Sequence, residues 1–286
     1  MNQSIHVFVY GTLRQHESNH HFLNKAKCMA RQAWTNGVLY DTGQGYPAMV
    51  LNKERRVYGE VYEINSLLLK KLDELEDYEG EGRDNLYDRV VQKIHTDFGL
   101  VDAHVYVFKP DQITDLEEIP FGDWRCHLHL TQEDFLYFAY GSCMDDERFE
   151  QAGVKQEFSK VIGCGMAKNY KVAYTCKSHD GGRADMVESE GIVEGKVYQI
   201  NQNTLKYLFR REGVKDQIYR PVFIEVVIDG IQYDNALTFF VIDKEEEVAP
   251  PEHYYTEILR GAKGLVSDAY FHKLNDDLAK NFGIKP

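Results

Sequence analysis

The sequence predicts an α+β protein built from two tandem copies of one strand-rich domain. A strand-like run that ends in Tyr-Gly-Thr/Ser occurs at residues 7–13 and again at 137–143. A longer segment, residues 59–76, matches residues 195–212 without a gap and is identical at 9 of 18 positions. Two copies are too few for a solenoid, so we expect each copy to build its own hydrophobic core.

The same order of elements is predicted in each copy. An initial apolar strand, at 5–10 and 136–140, leads into a glycine turn and then a helix. A second strand, at 57–64 and 192–200, carries apolar side chains at alternate positions and is rich in Val and Tyr.

One principal helix follows that second strand in each copy. Leucines at helical spacing predict it over 67–75 and 205–209, with Asn65 or Ser66 and the residues from Asn201 to Thr204 as N-cap candidates. The chain then returns as two further strands in each copy. The predicted return strands are 87–95 and 103–108 in the first copy and 219–228 and 236–242 in the second.

These elements define the predicted domains as residues 1–115 and 134–286. The polar, acidic stretch 116–133 is interpreted as a linker, with Phe121, Trp124 and Leu128 available to dock on one domain. The second domain is lengthened by a tail that begins Pro250-Pro251 and contains two helix-like segments, 254–259 and 269–278.

Composition and charge exclude several classes of protein. The 286 residues contain 33 Lys and Arg against 46 Asp and Glu, which disfavours nucleic acid and anionic membranes as partners. No apolar stretch is long enough to span a bilayer, and the N-terminus has no secretory signal pattern. Five cysteines without CxxC spacing indicate reduced thiols and a cytoplasmic location.

A metal site is not expected from the histidine pattern. His127 and His129 alternate in a HLHL stretch, which would place both on one face of a strand. A solvated strand face is the preferred interpretation of this pair, and metal ligation is the alternative.

Two repeated features could carry chemistry. Successive backbone N–H groups at the Tyr-Gly-Ser/Thr turn could converge on an anion, although a plain strand–turn corner would leave the same pattern. A glutamate ends the repeated helix in both copies, as Glu76 and Glu212, although its neighbours change from acidic to basic. A surface glutamate has no reason to persist while its neighbours change sign, so both are candidate functional residues. A recent duplication that preserved a surface residue is the alternative.

These blocks resemble the γ-glutamylcyclotransferases. In the second copy the resemblance rests on FLYFAYGS (135–142), LFRREGV (208–214) and the tail after Pro250. The first copy resembles the branch that includes γ-glutamylamine cyclotransferases and AIG2-like proteins. Its matching motifs are VFVYGTL (7–13), GYP (45–47), GEVY (59–62), residues 72–76 and YDR (87–89).

The resemblance implies two small mixed β-barrels with flanking helices, each with a cavity for a γ-glutamyl small molecule. It implies Glu76 and Glu212 as general acid/base, with no metal and no cofactor. The substrate α-amine would attack its own γ-carbonyl, forming 5-oxoproline and expelling an amine, amino acid or peptide. The implied substrate-binding residues are Tyr10, Gly11, Thr12 and Leu13 in the first copy and Tyr140, Gly141, Ser142 and Cys143 in the second.

Elementary chemistry agrees with one carboxylate per site. The attacking amine must lose a proton and the leaving amine must gain one, which a single acid/base can do. A loop rich in N–H groups can stabilise the charge that develops on the carbonyl oxygen.

Several alternatives stay open at this point. The family usually has Asn where Cys143 stands and Asp where Phe209 stands, so one copy could be active and the other degenerate. A covalent route through Ser142 or Cys143 is a further alternative, although no His is found at a family-supported position to activate either. A protein that binds a γ-glutamyl metabolite without turning it over would keep the same cavity. The oligomeric state is not predicted.

Overall fold

The computed structural model of the protein describes residues 4–285, which form two compact units divided between Leu130 and Thr131. Each unit is built around a closed barrel of five strands with helices packed outside it. The predicted fold class, two mixed barrels in tandem, is therefore confirmed.

The first unit contains eight strands and two α-helices. Its elements are β1 (Ile5–Val9), β2 (Lys27–Asn36), β3 (Val38–Asp41), β4 (Pro47–Val50), β5 (Arg56–Ile64), α1 (Ser66–Leu75), β6 (Asp88–Thr96), β7 (Gly99–Val107), β8 (Glu117–Glu118) and α2 (Trp124–His129). The barrel order is β1-β5-β2-β6-β7, and β4-β3-β8 form a separate small sheet. Short 3-10 turns lie at His20–Leu23, Pro110–Ile113 and Pro120–Gly122.

The second unit repeats this plan with longer strands. Its elements are β9 (Asp134–Ala139), α3 (Asp146–Gln151), β10 (Val161–Ser178), β11 (Gly181–Asn201), α4 (Gln202–Arg211), β12 (Tyr219–Ile228), β13 (Ile231–Val241), α5 (Glu252–Ala262) and α6 (Asp268–Phe282). The barrel order is β10-β11-β9-β13-β12. Short 3-10 turns lie at Ser142–Met144 and Lys155–Phe158. Helices α5 and α6 form the predicted tail.

The first strand of each unit sits between an antiparallel and a parallel neighbour. Strand β1 pairs antiparallel with β5 and parallel with β7, and β9 pairs in the same way with β11 and β13. Both faces of β1 are buried: Phe8 belongs to one apolar cluster, and Val7 and Val9 belong to another that includes Leu72 of α1. Burial on both faces explains why this strand is a continuous apolar run.

The repeated glycine of the Gly-x-Val-Tyr strand permits close strand contact. A Cβ atom at Gly59 would lie 2.3 Å from the carbonyl oxygen of Val9, and one at Gly195 would lie 2.3 Å from that of Ala139. No side chain fits at either position, so the barrel closes there only with glycine.

The predicted helix caps are present. The side chain of Asn65 accepts a hydrogen bond from the N–H of Leu68 at 2.9 Å, and Asn201 accepts from Asn203 and Thr204. The helices therefore begin where the sequence predicted. In contrast, the helix expected directly after each Tyr-Gly turn is replaced by short turns, the 3-10 turn at Ser142–Met144 being the example in the second unit.

The stretch interpreted as a linker differs from that expectation over residues 116–130, which pack as part of the first unit. The buried guanidinium of Arg14 bonds Asp123 at 2.8 Å and lies 3.4 Å from Glu60 of β5. Trp124 is only 3% exposed and belongs to the same apolar cluster as Phe8. This buried ion network attaches residues 116–130 to the barrel. The polar composition of the segment suggested a linker instead, because it did not show that these charges are paired and buried.

The histidine pair also differs from its prediction as a strand. Asp123 caps helix α2 by accepting from the N–H groups of Arg125 and Cys126, so His127 and His129 lie on a helix. His127 contacts Asp41 at 3.2 Å, and burial lowers the pKa of His129 to about 4.

No helix among residues 4–285 combines the length and the apolar character needed to cross a bilayer.

Candidate active site

A cavity of about 270 Å³ lies beside the first repeated turn. Residues Tyr10 to Leu13 line it, and so does Glu76, at the C-terminal end of α1. The hydroxyl of Tyr10 donates to the carbonyl of Tyr106 at 2.7 Å, which fixes the end of β1 against β7. The structure therefore brings the predicted loop and the predicted glutamate of this unit to one cavity.

Close packing, not backbone conformation, explains the glycine of this loop. A Cβ atom at Gly11 would lie 2.7 Å from Cγ of Pro47. Its counterpart Gly141 has an extended backbone, with φ of −115°, so no positive φ is needed there either. We conclude that the loop is pressed against the neighbouring β-hairpin, and Pro47 is a site residue that the turn motif alone did not reveal.

The N–H groups of the loop are available to a ligand. Among the residues that the structure describes, the backbone N–H groups of Gly11, Thr12 and Leu13 have no protein acceptor. Thr12 is held from its other side, since its carbonyl accepts from the N–H of Asn19 and its hydroxyl accepts from the Asn19 amide. Unpaired N–H groups in a loop that lines a cavity are suited to a carboxylate or a developing oxyanion.

Glu76 is a partly buried acid with no protein partner. Within residues 4–285 its carboxyl group makes no hydrogen bond or ion pair, and burial raises its pKa to about 7. Tyr87 lines the same cavity, and its pKa is raised by burial and by the nearby Glu76 carboxyl. An acid with a pKa near neutrality can both accept and return a proton.

The second unit contains a larger cavity, of about 520 Å³, beside the second repeated turn. The hydroxyl of Tyr140 donates to the carbonyl of Phe239 at 2.6 Å, as Tyr10 does to Tyr106. The N–H groups of Gly141, Ser142 and Cys143 again have no acceptor among the described residues. The second loop thus repeats the tyrosine hydrogen bond and the unpaired N–H groups of the first.

Glu212 faces this loop, but its neighbours differ from those of Glu76. The thiol of Cys143 lies 3.6 Å from Oε1 of Glu212, and Nε of Arg211 lies 3.0 Å from Sγ of Cys143. A second nitrogen of Arg211 donates to Oγ of Ser142 at 2.9 Å. Burial raises the pKa of Glu212, and the Arg211 charge partly offsets that increase.

Cys143 is held as a thiol. It is 5% exposed, and burial raises its pKa although Arg211 lies beside it. A nucleophilic cysteine needs a lowered pKa, so the environment of Cys143 disfavours the covalent alternative.

The tail helix completes the second cavity and was not singled out from the sequence for this role. The hydroxyl of Tyr254 in α5 accepts the N–H of Ala184 at 3.1 Å and lies 3.4 Å from the position of a Cβ atom at Gly141. Among residues 4–285 this hydroxyl has no acceptor for its own proton, and Tyr254 lines the cavity, so the proton is available to a ligand. The only signal in the sequence was the family-like tail itself.

Comparison with known proteins relates both halves of the chain to AIG2-like families. Residues 7–126 match the family described as Gamma-glutamyl cyclotransferase, AIG2-like, and residues 192–274 match the AIG2-like family. The chain is 41% identical over 272 residues to a Bacillus subtilis protein named "Putative gamma-glutamylcyclotransferase YkqA", which covers 94% of this chain and 95% of that protein. The crystal structure of YkqA from Bacillus subtilis is similar with a TM-score of 0.85 at 40% identity, over 96% of this chain and 98% of that one.

A further relative matches only part of the chain. The Niallia circulans protein named "Gamma-L-glutamyl-butirosin B gamma-glutamyl cyclotransferase" is 41% identical over 120 residues, which are 42% of this chain and 74% of that protein.

Proposed function

The chain belongs to the γ-glutamylcyclotransferase family, and from that premise we propose that both of its units release 5-oxoproline from γ-glutamyl amino acids, peptides or amines. The observation that carries the proposal is found in both cavities: a partly buried glutamate of raised pKa together with a loop of unpaired N–H groups. A cytoplasmic location remains a prediction from the sequence.

In the proposed reaction the neutral α-amine of the substrate attacks its own γ-carbonyl carbon, and a carbon–nitrogen bond closes the five-membered ring. As that bond forms, the glutamate carboxylate takes one proton from the attacking nitrogen, which keeps a single hydrogen. The bond to the leaving amine breaks as the glutamate returns the proton to that nitrogen. The nucleophile belongs to the substrate, so proximity supplies much of the rate acceleration.

The loop supplies the complementary charge stabilisation. Negative charge develops on the carbonyl oxygen when the amine attacks, and the N–H groups of residues 11–13 or 141–143 are suited to donate hydrogen bonds to that oxygen. Donors that are fixed before the reaction need no reorganisation, which is the main reason that such loops are effective.

The test is release of 5-oxoproline from a panel of γ-glutamyl amino acids and γ-glutamyl amines. Glu76→Gln should lower the turnover of the first unit by about 10²- to 10⁴-fold, and Glu212→Gln should lower that of the second unit by a similar factor. The double variant should retain neither. Full turnover by the double variant would refute the roles of both residues, and full dependence on one glutamate would identify the other unit as degenerate.

A non-catalytic binding protein is distinguished by the same variants. It would bind γ-glutamyl compounds without forming 5-oxoproline, and its affinity would change little when both glutamates are neutralised.

A further inference from the structure

The two cavities differ in the charge of their walls. Among the described residues, the first cavity is lined by one acid, Glu76, and by no Lys or Arg. The second is lined by five cationic side chains and three acids. The cations are Arg148, Lys177, Arg183, Arg210 and Arg211, and the acids are Glu212, Asp216 and Glu257.

Part of this difference in charge comes from the sequence of the repeated helix. Arg210 and Arg211 end helix α4 at the positions that Glu74 and Leu75 occupy in helix α1. The glutamate that follows is the same in both helices, so the substitutions change the charge beside the acid without removing it.

Three of the five cations are already partnered within the second unit. Arg211 lies 3.7 Å from the carboxylate of Glu212, besides its bonds to the loop. Arg148 bonds Glu257 at 2.9 Å. Arg183 bonds Asp180 at 2.7 Å. These three charges are partly neutralised by the protein itself.

Arg210 and Lys177 are different. Both are exposed, and neither side chain forms an ion pair or hydrogen bond with another described residue. Two unneutralised cations on the wall of a cavity attract a ligand that brings more than one negative charge.

The γ-glutamyl head has one α-carboxylate, which Arg211 beside the loop can bind. Lys177 and Arg210 line the same cavity and are not needed for that carboxylate. A leaving amine with no carboxylate, or with one, would leave at least one of them unmatched.

We propose that the second unit selects γ-glutamyl compounds whose leaving amine carries two or more carboxylates, such as γ-linked glutamyl dipeptides and oligomers. This inference rests on the proposed function and specifies the substrate class of its second site. The first cavity, without cations, provides no such selection.

The test uses the full chain carrying Glu76→Gln, in which only the second unit works. We expect kcat/KM to fall by about threefold at each step from γ-glutamylglutamate to γ-glutamylalanine to γ-glutamylbutylamine. The preference should weaken as ionic strength rises, because exposed charges are screened. The chain carrying Glu212→Gln should not show this order.

Further variants assign the preference to the two cations. Lys177→Gln/Arg210→Gln should lower kcat/KM for γ-glutamylglutamate by about tenfold through KM, with kcat retained and a much smaller effect on γ-glutamylbutylamine. In place of Arg210→Gln, Arg210→Lys keeps the charge, so Lys177→Gln/Arg210→Lys should lose less kcat/KM for γ-glutamylglutamate than Lys177→Gln/Arg210→Gln. Lys206→Gln, an exposed charge on the same helix outside the cavity, is the matched control and should change nothing. An equal loss for all three substrates, or no loss, would overturn the inference.

A binding measurement separates this inference from the proposed function. If no substrate yields 5-oxoproline, the proposed function fails, and calorimetry on the Glu76→Gln/Glu212→Gln chain then decides the charge preference. Tighter binding of γ-glutamylglutamate than of γ-glutamylbutylamine, lost on adding Lys177→Gln/Arg210→Gln, supports it. Equal binding of the two compounds overturns it.

Discussion

The hydroxyl of Tyr106 donates a hydrogen bond of 2.8 Å to the carboxylate of Asp73, which also accepts from Arg89 at 2.6 Å. The counterparts in the second unit are apolar: the rings of Phe209 and Phe239 lie 6.0 Å apart in an edge-to-face arrangement. The hydrogen-bonded pair of Asp73 and Tyr106 is therefore replaced by a pair of packed rings in the second unit. Phe209 in place of an aspartate is for this reason not a sign that the second site is inactive.

This relationship predicts a strong coupling between two substitutions. Asp73→Ala should reduce the free energy of unfolding by about 1–3 kcal/mol, because it leaves a largely buried hydroxyl and a guanidinium without their acceptor. Adding Tyr106→Phe should cost little more, since the unsatisfied hydroxyl is then gone. The measurement is a double-mutant cycle by denaturant unfolding, with a coupling of about 1 kcal/mol expected. Additive effects of the two substitutions would argue against the coupling.

The loop glycines predict unequal effects of the same substitution. Gly11→Ala would place Cβ 2.7 Å from the Pro47 ring and must displace the loop. Gly141→Ala meets its nearest atoms at 3.4 Å, an ordinary contact. A displacement of about 1 Å costs about 100-fold in rate, so Gly11→Ala should cost the first unit about that much.

Each glycine variant is assayed in a chain whose other unit is silenced, Gly11→Ala with Glu212→Gln and Gly141→Ala with Glu76→Gln. Release of 5-oxoproline should fall far less for Gly141→Ala. Equal losses in the two units would show that the Pro47 contact is not what positions the loop.

The sequence predicted the barrel strands that carry the repeat, because Gly-x-Val-Tyr alternation and the Asn caps are local signals. It did not predict β2, whose residues KCMARQAWTN show no clean alternation, nor the attachment of residues 116–130 to the first unit. Arg14 and Asp123 are 109 positions apart, and no local pattern shows that they pair. The capping of α2 by Asp123 was visible in principle, but the HLHL alternation favoured a strand.

The candidate site was predictable only where the two copies agree. The loops and both glutamates are repeated, so the comparison within the chain singled them out. Tyr106, Pro47 and Tyr254 were missed because each differs between the copies or comes from the tail. Their contribution depends on contacts between distant segments, which only the folded chain supplies.

The environment of Cys143 predicts that its thiol is dispensable for chemistry. Cys143→Ser, in the Glu76→Gln chain, should keep the activity of the second unit within about tenfold, because the hydroxyl keeps a polar contact with Arg211 and Glu212. Cys143→Ala tests the packing alone. A loss as large as that of Glu212→Gln would instead indicate a covalent route, which trapping of a thioester intermediate would then verify.

The raised pKa of Glu76 predicts a stability cost above neutral pH. A carboxyl whose pKa is about 7 in the folded state and about 4.5 unfolded stabilises the fold below pH 4.5, and that contribution is lost as the pH rises through 7. Glu76→Gln does not titrate, so it should stabilise the first unit at pH 8 by up to about 3 kcal/mol and have little effect at pH 4.5. Hydrogen exchange of β1 and β5 measures this without assuming two-state unfolding of both units. Glu74→Gln, an exposed neighbour on α1, is the control and should show no such pH dependence.

The same pKa predicts the pH dependence of catalysis by the first unit. Glu76 must be ionised to accept the proton of the substrate amine, so only the fraction of enzyme with a free carboxylate reacts. In the Glu212→Gln chain, log kcat/KM should therefore rise with pH and bend near pH 7, about 2.5 units above an ordinary glutamate. The leaving amine takes its proton from the acid just formed, so the descending limb should not appear until well above pH 7. The profile is measured by release of 5-oxoproline from pH 5.5 to 8.5, with the free substrate amine titrated separately to correct for its own ionisation. A profile without a bend between about pH 6 and 8 would mean that Glu76 is not the base, whatever its position in the cavity.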